Sequence, residues 1–157
     1  MSDGLASVPA VVRFPIGLLA AVVALLVMDQ VMARLPEGST PPRVAAGVLT
    51  GTRPDDAPAR LAAFAHYGAG MGTGLLFVYF SLVAEWLFGG GSVVSVAATT
   101  LVVYVLMVAF FLLVPLPRAR GLRGPRRRGT ARDWAIAAAV YLAVLVPAVA
   151  GITLAVS

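Results

Sequence analysis

Two residues inside the apolar parts of the chain, Asp29 and His66, are the candidates for chemistry. His66 is the only histidine in the sequence. A carboxylate beside an imidazole can accept and release a proton or coordinate a ligand. The same pair can instead tie two helices together, with Gln30 and Tyr67 completing a small polar cluster. The structural interpretation is favoured, because both residues are expected near the membrane interface, where burying a polar group costs less.

Flanking arginines define the depth of this pair. Asp29 lies five residues before Arg34, about 7–8 Å along a helix axis. His66 lies six residues after Arg60, about 9 Å along the axis. If the two helices run antiparallel with these ends on the same side, the two side chains lie at the same depth. The sequence therefore predicts that Asp29 and His66 are coupled.

The glycines that follow His66 predict a packing surface. They occupy every second position, at Gly68, Gly70, Gly72 and Gly74. Gly70 and Gly74 fall on the helix face of His66, while Gly68 and Gly72 form a neighbouring groove. Both pairs have GxxxG spacing, which lets helix backbones approach closely. Matching surfaces of small residues are expected on the first apolar block at Gly17, Ala21 and Ala24, and on the last at Ala139, Ala143 and Ala150.

The composition indicates a membrane protein. Hydrophobic residues make up 60% of the 157 residues, charged residues make up 12%, and the mean hydropathy is +0.93. Each of four apolar blocks reaches the roughly 20 residues that a helix needs to cross a bilayer. We expect an all-α fold, a polytopic four-helix transmembrane bundle forming a single membrane domain over residues 1–157. The expected spans are about 14–33, 57–88, 93–114 and 134–156. The first is interpreted as a retained helix, because it lacks a basic leader and a clear cleavage site.

The three connections differ in character. In the segment 35–56, "TPPRVAAGVLTG" predicts a short interfacial helix capped by Thr40 and ended by Gly51. Its apolar side is expected at Val44, Ala45, Val48 and Leu49. The connection "GGGS" predicts a tight antiparallel hairpin. The segment 115–133 is expected to be irregular, because it is rich in glycine, proline and arginine.

The arginines predict the orientation. All 12 basic residues are arginine, and seven of them lie in 115–133. The positive-inside rule places the segments 35–56 and 115–133 in the cytoplasm and both termini outside, in the cell membrane. Lipid head-group contacts are expected for Arg118, Arg120, Arg123, Arg126, Arg127 and Arg128. Glu85 is expected to reach head groups, and Asp133 is expected at an ordinary interface position.

No catalytic residue, metal or cofactor is expected. The chain has no cysteine, and it carries no nucleophile motif, phosphate loop or metal-spaced ligand set. Although the net charge is +5, the arginines cluster beside apolar blocks, which favours the lipid bilayer over nucleic acid as a partner. The preferred function is a non-enzymatic integral membrane protein, an accessory or assembly component that packs against itself or another membrane protein. The alternatives are a small oligomeric transporter or channel using Asp29 and His66, and a membrane enzyme acting on a lipid.

The first half of the chain resembles a known family. "VMDQVMARLPEG", "TPPRVAAGVLTG" and "PARLAAFAHYGAGMGTG" are similar to segments of small four-helix membrane proteins of haloarchaea and some bacteria. That family has a Met-Asp at the end of its first helix and a His-Tyr followed by glycines in its second. The matching residues here are Met28, Asp29, His66, Tyr67, Gly70 and Gly74. The resemblance implies a four-helix membrane fold and no particular activity.

Overall fold

Four long helices dominate the computed structural model, which describes residues 8–157. They are α1 (Ala10–Met32), α3 (Ala59–Phe88), α4 (Val93–Leu113) and α6 (Gly124–Val156). A shorter helix, α2 (Thr40–Thr50), and one turn of helix, α5 (Pro115–Arg118), lie in the connections. The described part of the chain contains no strand, and its four long helices are apolar enough to cross a membrane. The all-α fold is confirmed, and the chain is a multi-pass membrane protein. The N-terminus itself, residues 1–7, lies outside the described residues.

Helix α1 is at the centre of the packing, between α3 and α6. Its buried side includes the fully buried Ala20, Ala21 and Ala24, so the neighbouring helices approach it closely. Larger side chains fill the core on either side, among them Leu25, Phe77, Tyr141, Leu142 and Leu145. Helix α4 closes the bundle by packing against α3 and α6.

The connection between α3 and α4 is the predicted tight hairpin. Helix α3 ends at Gly89, whose φ of 76° lies in the left-handed region that favours glycine. Helix α4 begins with a capping box, in which the Ser95 backbone N–H donates to Ser92 Oγ at 3.1 Å and Ser92 N–H donates to Ser95 Oγ at 2.8 Å. These contacts satisfy backbone donors at the helix start and fix the turn.

Helix α2 is present as predicted, but its cap and its buried side differ. Ser39 is the N-cap residue, and Thr40 lies inside the first turn, where its hydroxyl donates to Glu37 Oε2. The exit at Gly51 is confirmed, with a φ of 71°. The buried residues are Thr40, Pro41, Val44, Ala46 and Gly47, so the expected apolar side was only partly right. Leu49 is 69% exposed, because α2 packs its other side against α3 and α5.

The segment 115–133 is mostly helical, which corrects the expectation of an irregular connection. Helix α6 begins at Gly124, ten residues before the expected span, and α5 forms one further turn. Pro125 lies in the first turn of α6, where proline is tolerated, and arginine is a good helix former. The small-residue surface expected on α6 was also wrong. Ala139 and Ala143 are exposed and Ala150 is half-buried, while Ala137, Ala138 and Tyr141 face the core.

Candidate functional site

Asp29, His66 and Tyr67 form one hydrogen-bonded cluster between α1 and α3. Nε2 of His66 lies 2.7 Å from Asp29 Oδ1, and the Tyr67 hydroxyl donates to Asp29 Oδ2 at 2.7 Å. Because an ionised carboxylate only accepts, Nε2 is the donor in its contact with the Asp29 carboxylate. The His66 side chain is 8% exposed and that of Asp29 is 29% exposed. Asp29 and His66 are therefore in contact, as predicted. The imidazole is largely buried, and the carboxylate is the more exposed of the two groups.

Gln30 does not belong to this cluster. It is exposed, and the described residues show no hydrogen bond to its side chain. Its backbone carbonyl accepts from the side chain of Arg34, which lies two residues beyond the end of α1. Gln30 follows Asp29 directly, and the rotation of about 100° per residue places its side chain on the exposed side of α1. The expectation for Gln30 was wrong for this reason.

A second ion pair joins the same two helices at their other ends. Arg13 Nη1 donates to both oxygens of Glu85, at 2.9 and 2.7 Å, and the two side chains are 12% and 20% exposed. The sequence placed Glu85 among lipid head groups and so missed this contact. Arg13 lies near the N-terminus, which was expected on the outer side, and Glu85 was expected at head groups; their shared side of the membrane was the available signal. Helices α1 and α3 are thus tied at both ends.

Asp133 is the residue that sequence reasoning most underestimated. Its side chain is 0% exposed, and its Oδ2 accepts the backbone N–H of Glu37 at 2.8 Å. Its Oδ1 accepts from the neighbouring Arg132 at 2.9 Å. Asp133 therefore joins the start of the α6 membrane span to the connection between α1 and α2. The predicted interface position for Asp133 was therefore wrong. The adjacent Arg132 is a partner that the sequence shows, whereas the Glu37 backbone N–H lies 96 residues away in the sequence.

Several of the arginines of 115–133 contact other protein groups. Arg126 bridges two acidic residues, with Nη2 2.7 Å from Asp55 Oδ1 and Nε 3.2 Å from Glu37 Oε2. The hydrogen bond from Arg126 lowers the pKa of Asp55 below its ordinary value. Arg120 donates to the Gly51 carbonyl at 2.7 Å, and Arg118 donates to Val114 within its own helix. Arg123, Arg127 and Arg128 are exposed.

The four glycines of α3 divide into two pairs with different surroundings. A Cβ at Gly74 would lie 2.6 Å from the Gly17 carbonyl oxygen, and one at Gly70 would lie 2.4 Å from the Leu25 side chain. These two glycines are packed against α1, as predicted. Among residues 8–157, a Cβ at Gly68 or Gly72 would meet nothing within 4 Å, so the predicted packing role of this pair is not fulfilled there. The pairs lie on different sides of α3 because they are offset by two residues.

Within residues 8–157, no group of three or more His, Asp or Glu residues could hold a metal ion. Comparisons of the chain with family models, curated proteins and solved structures found no match.

Proposed function

We propose that the protein is a non-enzymatic accessory or assembly component of the membrane, which acts by packing α3 against a helix of another membrane subunit. The surface proposed for this contact is the outer row Phe64, Gly68, Gly72 and Leu76, called the α3 notch below. Phe64 is 76% exposed and Leu76 is 49% exposed, with the two open glycines between them.

The shape of the α3 notch is the observation that carries the proposal. Residues spaced by four form one ridge on a helix, so two glycines between two large side chains leave a gap in that ridge. A facing helix can place its backbone in such a gap at close range. A glycine inside a helix costs about 0.5–1 kcal/mol relative to alanine, and no close packing in the described part of the chain offsets that cost at Gly68 and Gly72. A partner helix provides a physical reason for both.

The arrangement of charges also supports a packing role over chemistry. Each ionisable side chain described above within the bundle is used to join one segment to another. Asp29 and His66 join α1 to α3, as do Arg13 and Glu85, and Asp133 holds the α1–α2 connection.

A transporter or channel is the weaker alternative for a single chain. Asp29 and Arg13 are 16 residues apart on α1, so the two ion pairs are separated by about 24 Å. The space between them is filled by buried apolar side chains, including Leu25, Phe77 and Leu145. A polar path would need several copies of the chain. Proton flux in vesicles that Asp29→Asn abolishes would favour this alternative.

Photo-crosslinking in native membranes tests the packing proposal. A photoreactive amino acid at Met71, which is 39% exposed beside the notch, should give one discrete protein adduct. Mass spectrometry of the adduct identifies it as a second copy or as another membrane protein. Gly68→Leu combined with Gly72→Leu should abolish the adduct. Gly151→Leu is the matched control, because Gly151 is also open within a membrane helix but has no glycine four residues away. Adducts with lipid alone would overturn the proposal.

We also infer that the arginine-rich segment faces the cytoplasm. If the helices alternate in direction, 11 of the 12 arginines belong to one end of the bundle. They are Arg34, Arg43, Arg53, Arg60 and the seven arginines of 115–133. Since the chain has no cysteine, single cysteines can report the side of each position. Val93→Cys should react with an impermeant reagent added to intact cells, whereas Ser39→Cys and Arg127→Cys should react only after lysis. Labelling of Arg127→Cys in intact cells would reverse the orientation.

A further inference from the structure

A cavity of about 130 Å³ lies beside His66, on the side of the bundle where α2 covers the long helices. It is lined almost entirely by apolar groups from α1 to α6, including Leu25, Met28, Met107, Phe111 and Trp134. Phe110 and Ala69 also line it and are exposed on the outer surface of α4 and α3. These two residues mark an opening between α3 and α4 that faces the surrounding lipid.

The polar groups in the cavity wall are mostly already used. The Tyr141 hydroxyl donates to the Gly70 carbonyl at 2.7 Å, and the Thr73 hydroxyl donates to the Ala69 carbonyl at 2.8 Å. The Trp134 indole N–H donates to the Met107 carbonyl at 3.1 Å. These donors are therefore not free for a ligand. The remaining polar side chain in the wall is His66.

The imidazole of His66 presents an unused acceptor. Nε2 is engaged with Asp29, and Nδ1 has no hydrogen-bond partner among residues 8–157. Among these residues, every side-chain nitrogen or oxygen that is completely inaccessible has a hydrogen-bond partner. Since Nδ1 has none, it is accessible. Asp29 does not line this cavity, whereas Asp29, His66 and Tyr67 together line a separate open cleft, which assigns Nε2 to the cleft and Nδ1 to the cavity. In the neutral imidazole with its proton on Nε2, Nδ1 offers a lone pair to a donor.

We propose that this cavity binds an apolar aromatic ring carrying a hydroxyl group, the chemistry of a membrane-soluble phenol or quinol, with the hydroxyl donating to Nδ1 of His66. The volume fits one ring, since dry apolar cavities of about 150 Å³ bind benzene. The lining favours an apolar body, and the opening toward lipid admits a molecule dissolved in the bilayer. An anionic ligand is disfavoured, because the carboxylate of Asp29 lies directly behind the imidazole. This binding site is independent of the α3 notch.

A matched pair of probes, 4-propylphenol and propylbenzene, tests the assignment. They share the ring and chain and differ in the hydroxyl. Trp134 in the cavity wall reports binding by its emission in a Trp86→Phe background, since Trp86 is 81% exposed near the α3–α4 hairpin. We expect saturable binding of both probes, with 4-propylphenol bound about three- to tenfold more tightly after correction for partitioning, the value of one hydrogen bond.

Two variants separate the hydrogen bond from the cavity itself. His66→Leu should lower the ratio of the 4-propylphenol affinity to the propylbenzene affinity by about the same three- to tenfold. Thr73→Val, also in the cavity wall, should leave this ratio unchanged. Partitioning into the membrane cancels when the ratio is compared between proteins. Equal ratios in the wild type and His66→Leu would overturn the proposal, as would a lack of saturable binding by either probe.

A measurement on the unaltered chain covers the case in which His66→Leu does not fold. His66 is the only histidine, so its ¹⁵N resonances are unambiguous. The Nδ1 resonance should move on addition of 4-propylphenol and stay in place with propylbenzene. A response of Nδ1 to neither probe, or the same response to both, would overturn the hydrogen bond to His66.

Discussion

Nε2 of His66 lies 2.7 Å from Oδ1 of Asp29, and this contact joins two helices whose residues are 37 positions apart in the sequence. Tyr67, the next residue after His66, donates to the other oxygen of the same carboxylate at 2.7 Å. One aspartate on α1 therefore accepts from two neighbouring residues on α3. An arrangement of this kind fixes the rotation of α1 relative to α3 at one end, while Arg13 and Glu85 fix it at the other.

The first prediction concerns the energy of the contact between Asp29 and His66. In a double-mutant cycle with Asp29→Asn and His66→Gln, the two changes should be coupled by about 0.5–2 kcal/mol in the free energy of unfolding. The measurement is equilibrium unfolding in one detergent. The control cycle replaces Asp29→Asn with Gln30→Leu, which should be additive with His66→Gln because Gln30 is exposed. Strict additivity in the first cycle would show that the contact contributes nothing.

The second prediction compares two glycines of α3 that are two residues apart. Gly74→Ala should destabilise the bundle by about 1–3 kcal/mol, because its Cβ would lie 2.6 Å from the Gly17 backbone oxygen and force α1 away from α3. Gly72→Ala should be neutral or stabilising by up to about 1 kcal/mol, because its Cβ meets open space. Thermal unfolding of both variants in detergent is the readout. Similar melting temperatures for the two would refute the division of the glycines into two pairs.

The third prediction concerns the buried carboxylate of Asp133. Asp133→Ala should cost about 1–3 kcal/mol of unfolding free energy, because the Glu37 backbone N–H loses its acceptor. Asp133→Asn should cost less, since its amide oxygen can still accept. The pairing with Arg132 adds little, because that side chain is 63% exposed. Asp56→Ala serves as the control, as Asp56 is exposed. A loss for Asp133→Ala no larger than for Asp56→Ala would contradict the prediction.

The fourth prediction concerns acid and the contact between Asp55 and Arg126. The pKa of Asp55 is lowered by the hydrogen bond from Arg126, so the contact is fully formed above the ordinary aspartate pKa. It is lost as the pH falls through the lowered pKa of the folded protein. A nitroxide attached to Asp56→Cys should therefore become more mobile only at a pH below the ordinary aspartate pKa of about 3.9, as the pH passes the lowered pKa of Asp55. Because the Asp55 side chain is 60% exposed, the effect should be local rather than global.

Two arginine variants provide the controls for this acid response. Arg126→Gln should give the mobile spectrum already at neutral pH. Arg127→Gln should behave like the wild type, since Arg127 is exposed and makes no side-chain contact among the described residues. A spectrum for Arg126→Gln that still changes with pH as the wild type does would assign the response to another group.

The sequence alone determined where the four apolar spans lie and which ends of the first two spans are neighbours. Apolar length and turn residues are local properties, so the four spans, the hairpin at Gly89 and the helix at Thr40–Thr50 could be read directly. The depth of Asp29 and His66 followed from counting residues to flanking arginines, because a helix rises by a fixed 1.5 Å per residue. Their contact could therefore be predicted from the sequence.

Only the tertiary structure decided which side of each helix faces the bundle. The membrane helices are apolar on most sides, so the sequence pattern gives little indication of their rotation. That is why Ala139 and Ala143 were expected inside and are exposed. The contacts of Arg13 with Glu85 and of Glu37 with Asp133 span 72 and 96 residues, and no local rule relates such positions. Packing of small residues along α1 sets the helix rotations, and these determine which charges meet and which glycines stay open.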